Sequence, residues 1–374
     1  MKLGPKVLHL PAWYPNRQDP QLGVFIRKHV QAISAYTQSE LIYTKKLSDL
    51  KTYEIEKHDF EDFSEVLVYY PGGKGRLKGF YRRQKAFQKG LDRRSIENPD
   101  LIHLHVLDRN AILGFQLAQK WNIPYGITEH WTGYRSGAFE RKNKLEKNML
   151  RKIARNAAFI APVSNALAHD MMKCGMEGNY KTIPNVLKPA LNVKQGWNST
   201  LHFGVIADLV DQQKNISSVI QAFQKIQSEN IRLTIIGDGP DTHSLKALAM
   251  GSRNPIEFAG RWDNEQVLKN IDQLDALIVN SRVETFSVVT LEALSAGVPV
   301  IATASGGPEE FIDDSNGRVI EVDDHEALKK SMEYFAGKPN GFDFGKIAER
   351  TRMKYDPKNI GNEYAELYRG ALKR

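Results

Sequence analysis

The chain has 374 residues, enough at about 150 residues per domain for two large domains rather than one or four. Hydrophobic residues make up 41% and charged residues 26%, which excludes a wholly disordered polypeptide, and the single cysteine, Cys174, excludes both an intrachain disulfide and a Cys-rich zinc site. The formal charge of +8 is uneven: residues 1–190 hold 31 Lys and Arg against 18 Asp and Glu, a net +13, and the remainder is net −5, so an anionic partner is expected on the first half.

The start carries too short an apolar core for a secretory leader, because Pro11 and Pro15 break it, and no window nears 18 uninterrupted apolar residues. With one cysteine, the expected compartment is the cytoplasm. Lys6–Leu10 reads as a buried strand, and Gly23–Ser34 as a helix with Phe25, Ile26, Val30 and Ile33 on one side. Between 45 and 100 the pattern is weaker, with a strand at Glu65–Tyr70 and a basic helix over 76–95. Strands follow at Leu101–Val106, Tyr125–Thr128 and Ala158–Val163. His103 and His105 fall on one face of their strand near Asp108. Two histidines at that spacing are read as packing or site-edge residues, and no metal is assigned to them.

Ile183–Ala190 carries two prolines ahead of the polar stretch Asn192–Thr200 and marks a domain linker. Beyond it, strands at Leu201–Ile206, Ile231–Ile236, Ile256–Ala259, Ala276–Asn280 and Pro299–Thr303 alternate with helices at 217–227, 242–250, 264–270 and 288–296. Strands separated by helices predict parallel sheets with right-handed crossovers, and ligands of such sheets bind beyond the C-terminal strand ends. The last segment, Lys358–Leu372, reads as a helix.

The segment after Ala276–Asn280 carries the chemistry. A polar loop holds Glu284, and a helix starting near Ser287 or Val288 holds Glu292. The first amides of a helix lack intrahelical acceptors and sit at its positive end, so Ser287, Val288 and Val289 suit a diphosphate. Glu292, flanked by apolar Leu291, Ala293 and Leu294, is placed to accept from ribose hydroxyls, and Glu284 to reach a sugar beyond the phosphates.

The spacing Glu284 to Glu292 resembles the E-x7-E motif of retaining nucleotide-sugar glycosyltransferases of the GT-B fold, family 4 in particular. Gly237-Asp-Gly-Pro240, Phe258-Ala-Gly-Arg261, Val163-Ser-Asn165, Ile183-Pro-Asn185 and Gly306-Gly-Pro-Glu-Glu310 are similar to that family's motifs in the same order. The resemblance implies two Rossmann-like, doubly wound parallel-sheet domains facing across a cleft. These would be an acceptor-binding domain at 1–185, joined by a C-terminal helix at about 356–374 that crosses back, and a donor-binding domain at 196–355. It implies His130, at the end of Thr128-Glu-His130, and Glu284 as catalytic residues. For the donor it implies Gly23, Lys214, Arg261, Phe286, Ser287, Val288 and Glu292. The family's usual Arg ahead of Lys214 is replaced by Asp208, and Arg282 is the candidate to supply the missing charge.

The reaction so implied is transfer, with retention, of a sugar from a UDP- or GDP-sugar to a glycan or lipid-linked acceptor in polysaccharide or glycolipid synthesis, with no permanently bound cofactor and no metal. A nucleotide-sugar epimerase or hydrolase of the same fold, and a non-catalytic sugar-nucleotide-binding protein, are the alternatives. Two basic stretches, Lys74–Arg94 and Arg141–Arg155, the latter with Leu145, Met149 and Ile153 four apart, suggest peripheral attachment to an anionic inner membrane face. No nucleic-acid-binding motif is present, and nucleic acid is not an expected partner.

Overall fold

The computed structural model describes residues 4–73 and 75–373, so Lys74, where the first basic stretch begins, lies outside the described residues. The chain forms two compact units, Met1–Val186 with Pro357–Arg374, and Leu187–Asp356.

In the first unit, β1 (Lys6–Pro11), β2 (Gln38–Leu47), β3 (Glu54–Asp59), β4 (Phe63–Pro71), β5 (Leu101–His105), β6 (Tyr125–Glu129) and β7 (Phe159–Pro162) make one sheet in the order β3-β4-β2-β1-β5-β6-β7. Its helices are α1 (Val24–Ser34), α2 (Arg76–Leu91), α3 (Arg109–Trp121), α4 (Lys144–Arg155) and α5 (Asn165–Lys173). The interior strands are buried on both faces, as a parallel sheet covered by helices requires. One expectation is corrected at the edge: β3 runs antiparallel to β4. Its mixed sequence EIEKHD leaves Lys57, His58 and Asp59 exposed, which suits an edge strand and hid it from a search for apolar runs.

The second unit's sheet is wholly parallel among the described residues, in the order β10-β9-β8-β11-β12-β13. Its strands are β8 (Leu201–Ile206), β9 (Ile231–Ile236), β10 (Ile256–Gly260), β11 (Ala276–Val279), β12 (Val300–Thr303) and β13 (Gly317–Ile320). They alternate with α6 (Asp211–Lys214), α7 (Ile216–Gln224), α8 (Thr242–Ala249), α9 (Asn264–Asn270), α10 (Val288–Ser295), α11 (His325–Ala336) and α12 (Phe344–Lys354). Phe203, Phe223, Ile235, Ile278, Met332 and Phe335 belong to its core.

The polar stretch after the two prolines is not a free linker. Ala190 N–H donates to Ser295 Oγ (2.9 Å), and Lys194 pairs with Asp275 at 2.8 Å with both side chains buried. The carboxylate of Asp275 also accepts from Asn198 and from the His202 amide, so residues 187–198 are fastened to the second unit.

The last helix, α13 (Pro357–Leu372), returns to the first unit and packs on α1. It buries Ile360, Tyr364, Tyr368 and Ala371 at helical spacing. A Cβ at Gly361 would stand 2.1 Å from the Ala32 carbonyl oxygen, so only glycine permits this approach.

Candidate active site

Among the parallel strands of each sheet the order reverses once, at β1/β5 in the first unit and β8/β11 in the second, and the strand ends beside these reversals are where open α/β sheets bind ligands.

In the second unit, the segment after β9 packs backbone to backbone on that after β8, and the segment after β12 on that after β11. A Cβ at Gly237 would meet the Ala207 carbonyl oxygen at 1.8 Å, one at Gly239 the Leu209 backbone at 2.5 Å, and one at Gly307 the Phe286 amide at 2.5 Å. These glycines let the Gly237-Asp-Gly-Pro240 loop close on the segment after β8, and the Gly306-Gly-Pro loop on the residues that lead into α10. Ser287 caps α10 at φ 69°, an uncommon conformation for a residue with a Cβ, and its hydroxyl pairs with Thr290 Oγ1 at 2.8 Å. Lys214 Nζ donates to Glu284 Oε1, to which Ser281 Oγ also donates at 2.9 Å. Glu292, 4% exposed, accepts from Asn264 Nδ2 at 2.8 Å. Cation, carboxylates and helix entrance therefore converge in one unit.

Three expectations change. Arg282 does not face the α10 entrance as a replacement cation. Its guanidinium donates to Asp323 Oδ1 (2.8 Å), the carbonyls of Asp211 and Gln212 (3.1 Å each) and Asn215 Oδ1 (2.9 Å), which ties down the segment bearing Lys214. The cation beside Asp208 is Arg261, at 2.8 Å, with both side chains more than half exposed. Phe286 is 3% exposed and packs on Phe311 and Tyr355, so its ring serves the core.

In the first unit, Gly23 sits at φ 67° as the cap of α1, and a Cβ there would lie 2.7 Å from the Trp13 carbonyl oxygen. His130 follows β6 and is 6% exposed, its ring 4.5 Å from that of Phe25. Its loop is set by buried Glu129, which accepts from the amides of Leu107, His130 and Trp131 and from the Tyr134 hydroxyl. Burial raises the Glu129 pKa despite those donors, and it holds the His130 imidazole well below its usual range. Val106, a β-branched residue at φ 73°, ends β5 under backbone strain beside this loop. His9 and His29 join the buried histidines here, and the sequence reading missed both because neither lies in a motif.

The basic helix α4 is anchored by Leu150, Ile153 and Ala154, so Ile153 belongs to the core and not to a surface stripe with Leu145 (82% exposed) and Met149. Several cations around it are paired: Lys142 and Arg109 with Glu146, Lys147 with Glu140, and Arg155 with Glu177.

Residues 191–354 match the family model for glycosyl transferases group 1, and residues 32–190 that for glycosyltransferase family 4. This chain belongs to glycosyltransferase family 4. It is a glycosyltransferase with the GT-B fold. Among its relatives, the alpha-monoglucosyldiacylglycerol synthase of Acholeplasma laidlawii is 24% identical over 83% of this chain and 86% of its own. The sucrose-phosphate synthase of Thermosynechococcus elongatus superposes with a TM-score of 0.74 at 18% identity, over 97% of this chain and 98% of its own. Anabaena HepE in complex with UDP gives 0.69 at 14% identity, over 96% and 98%. As a glycosyltransferase of family 4 the chain has homologues in glycolipid synthesis, and among the described residues no helix is long and apolar enough to cross a membrane.

Proposed function

We propose that this glycosyltransferase moves a sugar from a nucleoside-diphosphate sugar to a glycan or lipid-linked acceptor with retention of anomeric configuration. The observation that carries the reading is the α10 entrance, where Ser287 in the left-handed conformation starts a helix behind the Lys214–Glu284 contact. Helix amides and an adjacent ammonium fit the two phosphates of a leaving nucleoside diphosphate. Glu292, held by Asn264, serves the ribose, and Glu284 the transferred sugar. Arg261, an exposed cation paired with Asp208, is the second cation on this reading, which it serves by exchanging that partner for the nucleotide.

Catalysis on this reading is electrostatic. Charge that builds on the leaving diphosphate meets the amides of Ser287, Val288 and Val289 and Lys214, and no metal is needed there. His130 acts as a neutral hydrogen-bonding group toward the donor, and its lowered pKa keeps it so at neutral pH. The complex of HepE with UDP supports a uridine nucleotide first, with GDP-sugars as the alternative.

A lipid-linked acceptor is favoured by one surface of the first unit. There an open groove of about 750 Å³ is lined by Phe80, Leu145, Met149 and Ile112 among Lys46, Arg83 and Arg109, and Phe80 and Leu145 are exposed. Apolar side chains ringed by cations suit an anionic lipid surface at the inner face of a plasma membrane. The test of the donor assignment is a thermal-shift panel of UDP-, GDP- and ADP-sugars. Saturation a hundredfold above Kd contributes about 2.7 kcal/mol, a rise of several degrees, for one donor; a flat panel refutes the reading.

A further inference from the structure

The first unit buries five histidines around the β1/β5 reversal, and the transfer reaction engages one of them. His9 lies on β1, His103 and His105 on β5, His29 on α1 and His130 just beyond β6, and none exceeds 6% exposure. A neutral imidazole offers one N–H and one lone pair.

The hydrogen bonds fix which nitrogen is which. Thr37 Oγ1 donates to the Ile33 carbonyl (3.1 Å) and so accepts from Ser39 Oγ (2.8 Å). The Ser39 proton being used, Ser39 Oγ accepts from His9 Nε2 (3.1 Å). His9 Nδ1 is then bare and accepts from His105 Nε2 (3.1 Å), which leaves the lone pair of His105 on Nδ1. His29 Nε2 faces the Pro184 carbonyl (3.2 Å), which only accepts, so the His29 lone pair is also on Nδ1. Both Nδ1 atoms are buried with no hydrogen-bond partner. A buried acceptor left unpaired costs about 1–3 kcal/mol, and such a group calls for a ligand. One ring nitrogen each of His29, His105 and His130 lie within 4.8 Å of one another.

We propose that His29, His105 and His130 form a binding site for one divalent transition ion, with Zn²⁺ the best match. Three neutral imidazoles with a fourth position left for water are a known tetrahedral zinc set, whereas Mg²⁺ and Ca²⁺ require oxygen ligands. Two ligands already have the orienting partners that metal-bound histidines use, a backbone carbonyl for His29 and an imidazole for His105. Tetrahedral nitrogens stand roughly 3.3 Å apart, so the rings close by about 1 Å on the ion. The neighbouring His9, His103 and His105 are equally close, but both nitrogens of His103 are taken, by Tyr368 and Thr128, and both of His9, by Ser39 and His105. Glu129 and Asp108 are committed to backbone amides. The ion therefore belongs to the first triad.

The site is read out without any sugar, so its failure and failure of the donor assignment are distinguishable. Metal-free full-length protein is titrated with Co²⁺, following the visible d–d absorption of a tetrahedral nitrogen site, and then with Zn²⁺ to displace it. The expected result is one ion per chain, with affinity at least tenfold weaker in His29→Gln and in His105→Gln, both checked for native circular dichroism. Should His105→Gln not fold, His29→Gln and the unaltered chain decide the matter. Absence of Co²⁺ absorption in the unaltered chain, or equal affinity in a folded His29→Gln variant, overturns the proposal.

Discussion

Lys214, Glu284 and Glu292 each contact a neighbour within the second unit, so each can be removed with a consequence set by that neighbour. Glu292→Ala loses a charge-assisted acceptor for the ribose and leaves Asn264 without its partner. Nucleotide affinity should fall roughly ten- to a hundredfold, at about 1.5–3 kcal/mol, as measured by calorimetric titration with a nucleoside diphosphate. His130 differs, because its contribution should grow as charge develops on the leaving group. His130→Ala should lower kcat at saturating donor much more than it weakens donor binding, and wild-type turnover would leave His130 a packing residue. The E-x7-E spacing was legible because the two carboxylates flank a helix start that the sequence itself marks. The partner of Asp208 was not legible: Arg261 lies 53 positions on, beyond the end of β10, and only the folded sheet, with β9 between β8 and β10, brings the two side chains together.

Among the elements, the segment 187–198 and strand β8 carry the clearest energetic statement. Lys194 and Asp275 are a buried pair whose carboxylate is satisfied by three further donors. Lys194→Met removes the cation and leaves the carboxylate buried, so unfolding in urea should show a loss of about 3–5 kcal/mol. Next to it, His202 is lowered to about 4 by burial and then by Arg232, with Asp275 and Lys194 also facing it. An imidazole whose folded pKa lies below its unfolded value of about 6.5 contributes fully above that pH and loses its contribution as pH falls toward 4. His202→Gln should therefore flatten the acid side of the stability curve by about 1 kcal/mol per pH unit in this window; an unchanged slope would contradict the assignment. Elements dominated by large apolar residues, such as β8 and β9, were legible to the residue. β2 and β3 were not, because Lys45 and Lys46 in the one and the charges of EIEKHD in the other interrupt the apolar pattern.

For the whole molecule, the charge divides unevenly between the two halves of the chain. The +13 of residues 1–190 is partly consumed by ion pairs on α4, that of Arg109 with Glu146 among them, and Lys46 and Arg83 line the groove with Phe80 and Leu145. Cosedimentation with anionic vesicles should exceed that with neutral ones and fall with salt, since exposed charges are screened beyond about 8–10 Å at physiological strength. Equal recovery with both vesicles would point to a soluble acceptor. The return of the last helix to the first unit was legible only through family resemblance. Its apolar spacing shows a helix, but the Gly361–Ala32 approach that seats it is a property of the folded chain. The central claim is that the α10 entrance with Lys214 holds the diphosphate of the sugar donor. Calorimetric titration of the preferred nucleotide sugar into the unaltered chain and into Lys214→Ala tests it most directly. The account predicts saturable binding to the first and at least tenfold weaker binding to the second; equal affinity, or no binding of any nucleotide sugar by the unaltered chain, would contradict it.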